Sequence, residues 1–218
     1  MSTRAVRSAR RIEASGAGPA RAGYAPGRWP EAGARFALFG EVLLVGIAVS
    51  VLSVGVITIP LALALGVRHL RRHLRSESST LGDVLADARR GAVPSLALGV
   101  LVAIAGLVLV IDLALAADRL LPFAEVVGAA GAAAALALIV VLLTAARLWT
   151  PEQGWIAAFR GCPENWRRDP AGVLYLLAAI GLVAVLAWQF VPLVLPGIGC
   201  LLLAVVAIPE RLVDGDAD

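Results

Sequence analysis

The chain alternates between long apolar blocks and shorter polar segments rich in arginine. After a polar stretch at residues 1–35, apolar residues dominate as far as Val67, and further apolar blocks occupy residues 93–117, 124–146, 171–190 and 195–212. Each later block is close to the roughly 20 residues that a helix needs to cross a hydrocarbon core about 30 Å thick. The pattern predicts an all-α fold, a polytopic bundle of transmembrane helices over residues 36–212.

The first apolar block is longer than the others. As one helix, residues 36–67 would extend about 48 Å at 1.5 Å per residue, well beyond the thickness of the core. Gly55 and Pro60 can supply a turn and a new helix start, which divides the block into crossings at 36–54 and 57–75. This division predicts six crossings. The alternative keeps residues 36–60 as a single crossing and gives five.

Composition supports a membrane protein. Of 218 residues, 60% are hydrophobic and only 16% are charged. Soluble domains carry about 45–50% apolar and about 25% charged residues. These proportions exclude an ordinary soluble domain.

The distribution of charge predicts an orientation. Residues 1–35 hold seven arginines and two acids, residues 68–90 hold six arginines and three acids, and residues 112–125 hold one arginine and three acids. Basic loops stay in the cytoplasm, so the 112–125 loop is expected outside. With six crossings, the tail 1–35, expected to be disordered, and the acidic tail 213–218 both lie in the cytoplasm.

Two polar segments predict short cytoplasmic helices at the membrane interface. The first is residues 78–91, which Gly91 is expected to end. The second is residues 150–170, where Trp155, Phe159, Cys162 and Trp166 recur at helical spacing and Pro163 is expected to interrupt the helix.

Basic and aromatic side chains near the predicted interface are candidates for contact with anionic lipid or with a partner protein. The candidates are Arg68, Arg71, Arg72, Arg75, Trp155, Trp166, Arg167 and Arg168. His69 and His73 share a helical face, but the arginines around them would repel a metal cation, so no metal site is predicted.

Glu41 is the one acid inside the first apolar block. A carboxylate inside a membrane costs several kcal/mol and often marks the path of an ion or substrate. Glu41 is also close enough to the start of the block to act as an interfacial anchor. The path interpretation predicts a small transporter or channel, with a route near Glu41, Gly55 and Pro60.

Sequence motifs of known catalytic sites are missing. The sequence has no Walker loop, no HExxH and no GxSxG motif, and its two cysteines belong to no ligand set. We therefore predict a non-enzymatic protein without a cofactor, with membrane lipids and membrane transport components as partners rather than nucleic acid. No pattern indicates an oligomer.

Two stretches resemble one family of bacterial membrane proteins. One is the first apolar block through Gly55 and Pro60 into "RHLRRHLRSESS", and the other is "GWIAAFRGCPENWRRDPAGVLYLLAAIGL". Over about residues 27–212 the chain resembles the YesL-like integral membrane proteins, a domain of unknown function. The resemblance implies a multi-pass protein of the bacterial cytoplasmic membrane, in a family some of whose members are associated with carbohydrate-uptake systems. We therefore expect an accessory role beside such a system. The resemblance implies no catalytic or binding residues.

Overall fold

The computed structural model describes the backbone of residues 30–74 and 81–215, and the side chains of residues 36–74 and 82–209. Over these residues it contains seven α-helices, two short 3-10 turns and no strand. The helices are α1 Pro30–Ser53, α2 Ile59–Leu74, α3 Leu81–Ala117, α4 Ala124–Leu148, α5 Gly154–Arg168, α6 Pro170–Gln189 and α7 Val194–Gly215. The predicted all-α bundle is confirmed.

The predicted tails lie largely outside the described residues. Residues 1–29 and 216–218 are not described, while residues 30–35 belong to α1 and residues 213–215 to α7. The helical domain therefore extends beyond both limits predicted from the sequence.

Five helices are long and apolar enough to cross a membrane. The candidate spans are Phe36–Ser53, Gly82–Ala117, Ala124–Leu148, Pro170–Gln189 and Val191–Pro209, the last of which includes the 3-10 turn before α7. The chain is accordingly a multi-pass membrane protein. The remaining candidate, α2, has 16 residues and is about 24 Å long, shorter than the core. The choice between six and five crossings stays a prediction.

The first apolar block is broken beside Gly55. Helix α1 ends at Ser53, a 3-10 turn covers Val56–Thr58, and α2 begins at Ile59 with Pro60 in its first turn. A proline suits this position because the first N–H groups of a helix have no intrahelical partner. The block thus forms a helical hairpin, α1–turn–α2.

Helix α2 packs against four other helices, α1, α3, α4 and α7. Small residues make this possible: Ala62, Ala64 and Gly66 are buried. A β-carbon on Gly66 would approach the side chains of Val49 and Leu202. Helix α2 therefore lies inside the protein instead of at its lipid-facing edge.

The predicted interfacial helix at 78–91 is wrong as a separate element. Helix α3 runs without interruption from Leu81 to Ala117 and includes Pro94. Gly91 does not end a helix; it is buried, and a β-carbon there would collide with the indole ring of Trp149. The glycine permits close packing, a role that sequence alone does not distinguish from a helix cap.

The second interfacial helix exists, but its apolar stripe faces protein. Helix α5 continues through Pro163, and it buries Trp155, Ala158 and Cys162. These residues pack against the end of α4 around Leu142 and Ala145. The helical spacing of the stripe was correctly predicted, while its expected contact with the membrane is corrected for the buried positions.

Helices α3 and α4 pack against each other, and we refer to them as the α3–α4 arm. In the described chain α3 contacts neither α1, α6 nor α7. Its residues Leu101, Ile104 and Leu107 are exposed. Such a surface is suited to hydrocarbon or to another membrane protein.

Candidate functional site

The basic segment at the end of α2 reaches three neighbouring helices. At about 100° per residue, Arg68 and Arg72 project within about 40° of each other, while His69 and Arg71 project to either side of them. This spread allows the four side chains to contact α1, α3 and α4 at once. We refer to Arg68, His69, Arg71 and Arg72 with their partners as the α2 polar layer.

The first contact joins α2 to α1. His69 Nε2 lies 2.5 Å from Glu41 Oε1, so the imidazole N–H donates to the carboxylate. The two side chains are 23% and 25% exposed. Glu41, the one acid inside the first apolar block, therefore has an ionisable partner on α2, the second helix of the hairpin.

The second contact joins α2 to α3. Arg68 Nε and Arg72 Nη2 each donate to Oδ2 of Asp87, both over 2.8 Å. Asp87 is 6% exposed. A buried carboxylate needs such partners, because charge-assisted hydrogen bonds offset the cost of removing it from water.

The third contact joins α2 to α4. Arg71 Nη2 donates to the carbonyl oxygen of Arg147 over 2.7 Å. This carbonyl belongs to the last turn of α4, where the C=O groups have no N–H donor within the helix. A cation here also interacts favourably with the dipole of the helix.

Asp87 was missed by the reasoning from sequence, although a signal for it exists. Asp87, Gly91, Ser95 and Gly99 are spaced four apart and all are buried. Residues at this spacing lie on one face of a helix. A run of small residues that includes one acid therefore indicated a face in close contact with another helix.

A second polar group lies where α4, α5 and α6 meet. Trp166 Nε1 donates to Thr144 Oγ1 over 3.2 Å, Arg147 donates to the Asn165 side-chain oxygen, and Asp169 accepts from the Gly172 N–H over 2.7 Å. These side chains line a cavity of about 30 Å³, which is the size of one water molecule. The hydrogen bonds of this group order the α5–α6 junction.

The aromatic side chains of α5 are mostly engaged inside the protein. Trp155 Nε1 donates to Ser95 Oγ over 2.8 Å, and its ring lies 5.8 Å from that of Trp149. Trp149 Nε1 has no hydrogen-bond partner among the described residues. Burial raises the pKa of the nearby Cys162 thiol, and the charge of Arg147 lowers it to a lesser extent.

The candidates for lipid or partner contact divide into two sets. Arg68, Arg71 and Arg72 bond to protein groups but remain partly exposed, so their contact with lipid or a partner stays a prediction. Trp155 is buried. Arg167 and Arg168 are exposed, with Arg168 paired to Glu164 over 2.8 Å. Trp166 is half-buried, and Arg75 lies outside the described residues.

The three residues of the predicted transport path do not come together. Glu41 is at the basic end of α2, whereas Pro60 lies nine residues before His69, about 13 Å along the helix. Gly55 lies in the exposed turn beyond it. Around the α1–α2 contact the buried side chains are apolar; they are Val42, Val45, Val49, Val67, Leu70 and Leu202.

Thr58 pairs several backbone groups of the turn. Its hydroxyl contacts the carbonyl oxygens of Leu52 and Gly55, and its N–H donates to the Gly55 carbonyl over 2.6 Å. Hydrogen bonds of this kind stabilise the break between α1 and α2. The sequence did not indicate this role for Thr58.

Among the described residues, no three His, Cys, Asp or Glu side chains come together in an arrangement that could hold a metal ion. Comparison of the chain with protein-family models, with curated proteins and with solved structures finds no match. The similarity to the YesL-like proteins stays a prediction from the two stretches that carry it.

Proposed function

We propose that this chain is a non-enzymatic integral membrane protein that acts as an accessory to another membrane protein. The observation that carries the proposal is the α2 polar layer. Its charged groups bond to one another and to the backbone, and the side chains packed beside them are apolar. Such an arrangement holds helices together, and among the described side chains that pack beside the α1–α2 contact it is apolar groups that are buried.

The α3–α4 arm is the surface that supports an accessory role. Its outward residues are apolar, and in the described chain α3 contacts only α2, α4, α5 and the turn before α2. Lipid can cover this arm, and so can the transmembrane helices of a partner. In the proposal the partner belongs to a carbohydrate-uptake system of the bacterial cytoplasmic membrane, as the YesL-like resemblance implies.

A photo-crosslinking amino acid at Leu107, on the arm, tests the association in native membranes. Leu107 is 61% exposed and the control position Leu174, on α6, is 67% exposed. We expect a protein adduct from Leu107 and none from Leu174. Adducts with lipid alone at both positions would contradict the accessory role. A partner that is not a sugar permease or its subunit would contradict the carbohydrate assignment only.

A small transporter or channel is the second candidate. The Glu41–His69 pair favours it, because an ionisable pair between helices of a membrane protein is the kind of site that proton-coupled transporters use. Purified protein in proteoliposomes distinguishes the two functions. The accessory role predicts no solute or proton flux above that of empty vesicles, whereas a flux that Glu41→Gln abolishes in a folded protein would establish the transporter.

The cytoplasmic position of both termini also belongs to the proposal. It rests on the excess of arginine at residues 1–35 and 68–90 over the 112–125 loop. A membrane-impermeant thiol reagent applied to intact cells should label Asp118→Cys and leave Ser8→Cys unlabelled, in a protein without Cys162 and Cys200. The reverse labelling pattern would invert the topology.

A further inference from the structure

An apolar groove lies between the α1–α2 turn, α2 and the beginning of α3. Its volume is about 420 Å³, within the range of small-molecule sites in proteins. Seven of its eight lining residues are aliphatic: Leu52, Leu61, Ala62, Leu65, Val84, Leu85 and Ala88, with Thr58 as the eighth. The groove is open on one side, and it suits a flexible hydrocarbon chain better than a polar solute.

One end of the groove is cationic. Leu61 and Leu65 share a face of α2 with Arg68 and Arg72, because these positions fall within about 60° of one another. On α3, Val84 and Ala88 project to one side of Asp87, about 60° and 100° from it. Arg68 and Arg72 share the single carboxylate of Asp87, so this group has a formal charge of +1, and each guanidinium has further N–H groups beyond the one bonded to Asp87.

Other charges near this end are also mostly positive. On α3, Arg89 and Arg90 are exposed and Asp83 lies one turn before Asp87. On α2, Arg71 is bonded to the Arg147 carbonyl. The groove therefore ends in a region of net positive charge, which favours an anionic group.

The distance along α2 from the apolar lining to the arginines suits an acyl chain. Leu61, which lines the groove, and Arg72 are eleven residues apart, about 16 Å along the helix. Half of the hydrocarbon core, the thickness that one acyl chain fills, is about 15 Å. A chain with its head group at the arginines could therefore extend along the groove.

We propose that this groove binds an anionic phospholipid of the leaflet that contains Arg68 and Arg72. One acyl chain lies against Leu61, Leu65 and Leu85, and the phosphate accepts hydrogen bonds from the two guanidinium groups beside Asp87. Arginine suits this role because its planar N–H groups match a phosphate as well as a carboxylate. Basic pockets between helices at the cytoplasmic face are known to hold lipid headgroups in this manner.

Native mass spectrometry of the detergent-purified, full-length protein tests the proposal. The probes are phosphatidylglycerol and phosphatidylcholine with identical acyl chains, and inorganic phosphate. We expect phosphatidylglycerol to bind about tenfold more tightly than phosphatidylcholine. Both lipids present a phosphate to the arginines, but the choline of phosphatidylcholine adds a positive charge that the cationic end of the groove repels. Equal binding of both lipids, or equal retention of inorganic phosphate, would overturn the proposal.

Two variants locate the site. Ala88→Phe fills the groove and should abolish the preference for phosphatidylglycerol, whereas Ala132→Phe, on the exposed surface of α4, should retain it. Arg72→Gln should reduce the preference and leave Arg68 paired with Asp87. A preference that survives Ala88→Phe would place the lipid elsewhere on the surface. A groove occupied instead by a helix of a partner protein would give adducts with protein from a photo-crosslinker at Leu85, and this too would overturn the lipid assignment.

Discussion

Replacing Asp87 with asparagine tests whether the α2 polar layer holds the bundle together. Arg68 and Arg72 both donate to Oδ2 of Asp87 over 2.8 Å. The two donor nitrogens are therefore at most about 5.6 Å apart. Without the carboxylate charge, two guanidinium groups would face each other inside the protein with no counter-ion.

The magnitude follows from this geometry. Two like charges at that separation repel by about 3 kcal/mol at an effective dielectric constant of about 20. The arginine side chains are 25% and 19% exposed, so they can move partly toward water and reduce the repulsion. Loss of one partner of a buried ion pair typically costs about 3–5 kcal/mol. We expect Asp87→Asn to lower the free energy of unfolding by about 2–4 kcal/mol.

A thermal-unfolding assay in detergent measures the effect. For a protein of this size 1 kcal/mol corresponds to about 2–4 °C in Tm, so Tm should fall by roughly 4–16 °C. Glu164→Gln is the matched control, because Glu164 pairs with Arg168 at the exposed surface and such pairs contribute little. Its Tm should stay within about 2 °C of the unmodified protein.

A triple variant distinguishes charge imbalance from a general loss of packing. The triple variant adds Arg68→Gln and Arg72→Gln to Asp87→Asn, so the two positive charges no longer face each other at position 87. It should therefore be more stable than Asp87→Asn alone. The reasoning is refuted if Asp87→Asn has the Tm of the control, or if the triple variant is the less stable of the two.

Three further predictions concern packing, the hairpin turn and the buried thiol. Gly99→Ala should lower Tm, because the new β-carbon would overlap the Ile57 carbonyl. Gly106→Ala is the control: its β-carbon would meet nothing within 4 Å, so Tm should stay equal or rise slightly. The opposite order of the two Tm values would contradict the close contact. Thr58→Val should lower the free energy of unfolding by about 1–3 kcal/mol, because it removes the hydroxyl that contacts two carbonyl oxygens of the turn. Thr58→Ser keeps a hydroxyl and should retain most of the stability. An equal loss of stability in both variants would argue against a role for the hydroxyl. Burial raises the pKa of the Cys162 thiol, so less of it is thiolate at pH 8 than for a free thiol. In a protein with Cys200→Ser, alkylation of Cys162 should therefore be slower than that of a free thiol at pH 8, and its rate should increase toward higher pH. If Cys162 reacted as fast as a free thiol, the thiol would be accessible.

The long apolar blocks were sufficient to predict the helices that cross the membrane. Inside a hydrocarbon core every backbone N–H and C=O group needs a hydrogen-bond partner within the protein, and the α-helix is one of only two structures that supply them all. Length and hydropathy therefore constrain these segments strongly. The same length argument placed a break beside Gly55, where the structure has a turn and a new helix. Element ends were less well predicted, because a glycine such as Gly91 serves equally as a helix cap or as a point of close packing.

The sequence also identified the charged residues that matter, but not their partners. It singled out Glu41 and the basic end of α2, since charges beside apolar runs are costly wherever they lie. Whether an arginine turns to lipid or to a carboxylate depends on which helix packs beside it, and this is a property of residues far apart in the chain. Asp87, 19 residues from Arg68, looked like part of an exposed amphipathic segment.

Hydropathy and length, which are local properties, thus determined the fold class of this protein and its residence in a membrane. Tertiary structure decided that α2 is an internal helix and that its arginines bond to Asp87 and to α4. It also decided that α5 turns its aromatic stripe toward α4. The physical reason is that burial and charge pairing arise from contacts between helices, and the period of a single helix specifies a face without specifying what covers it.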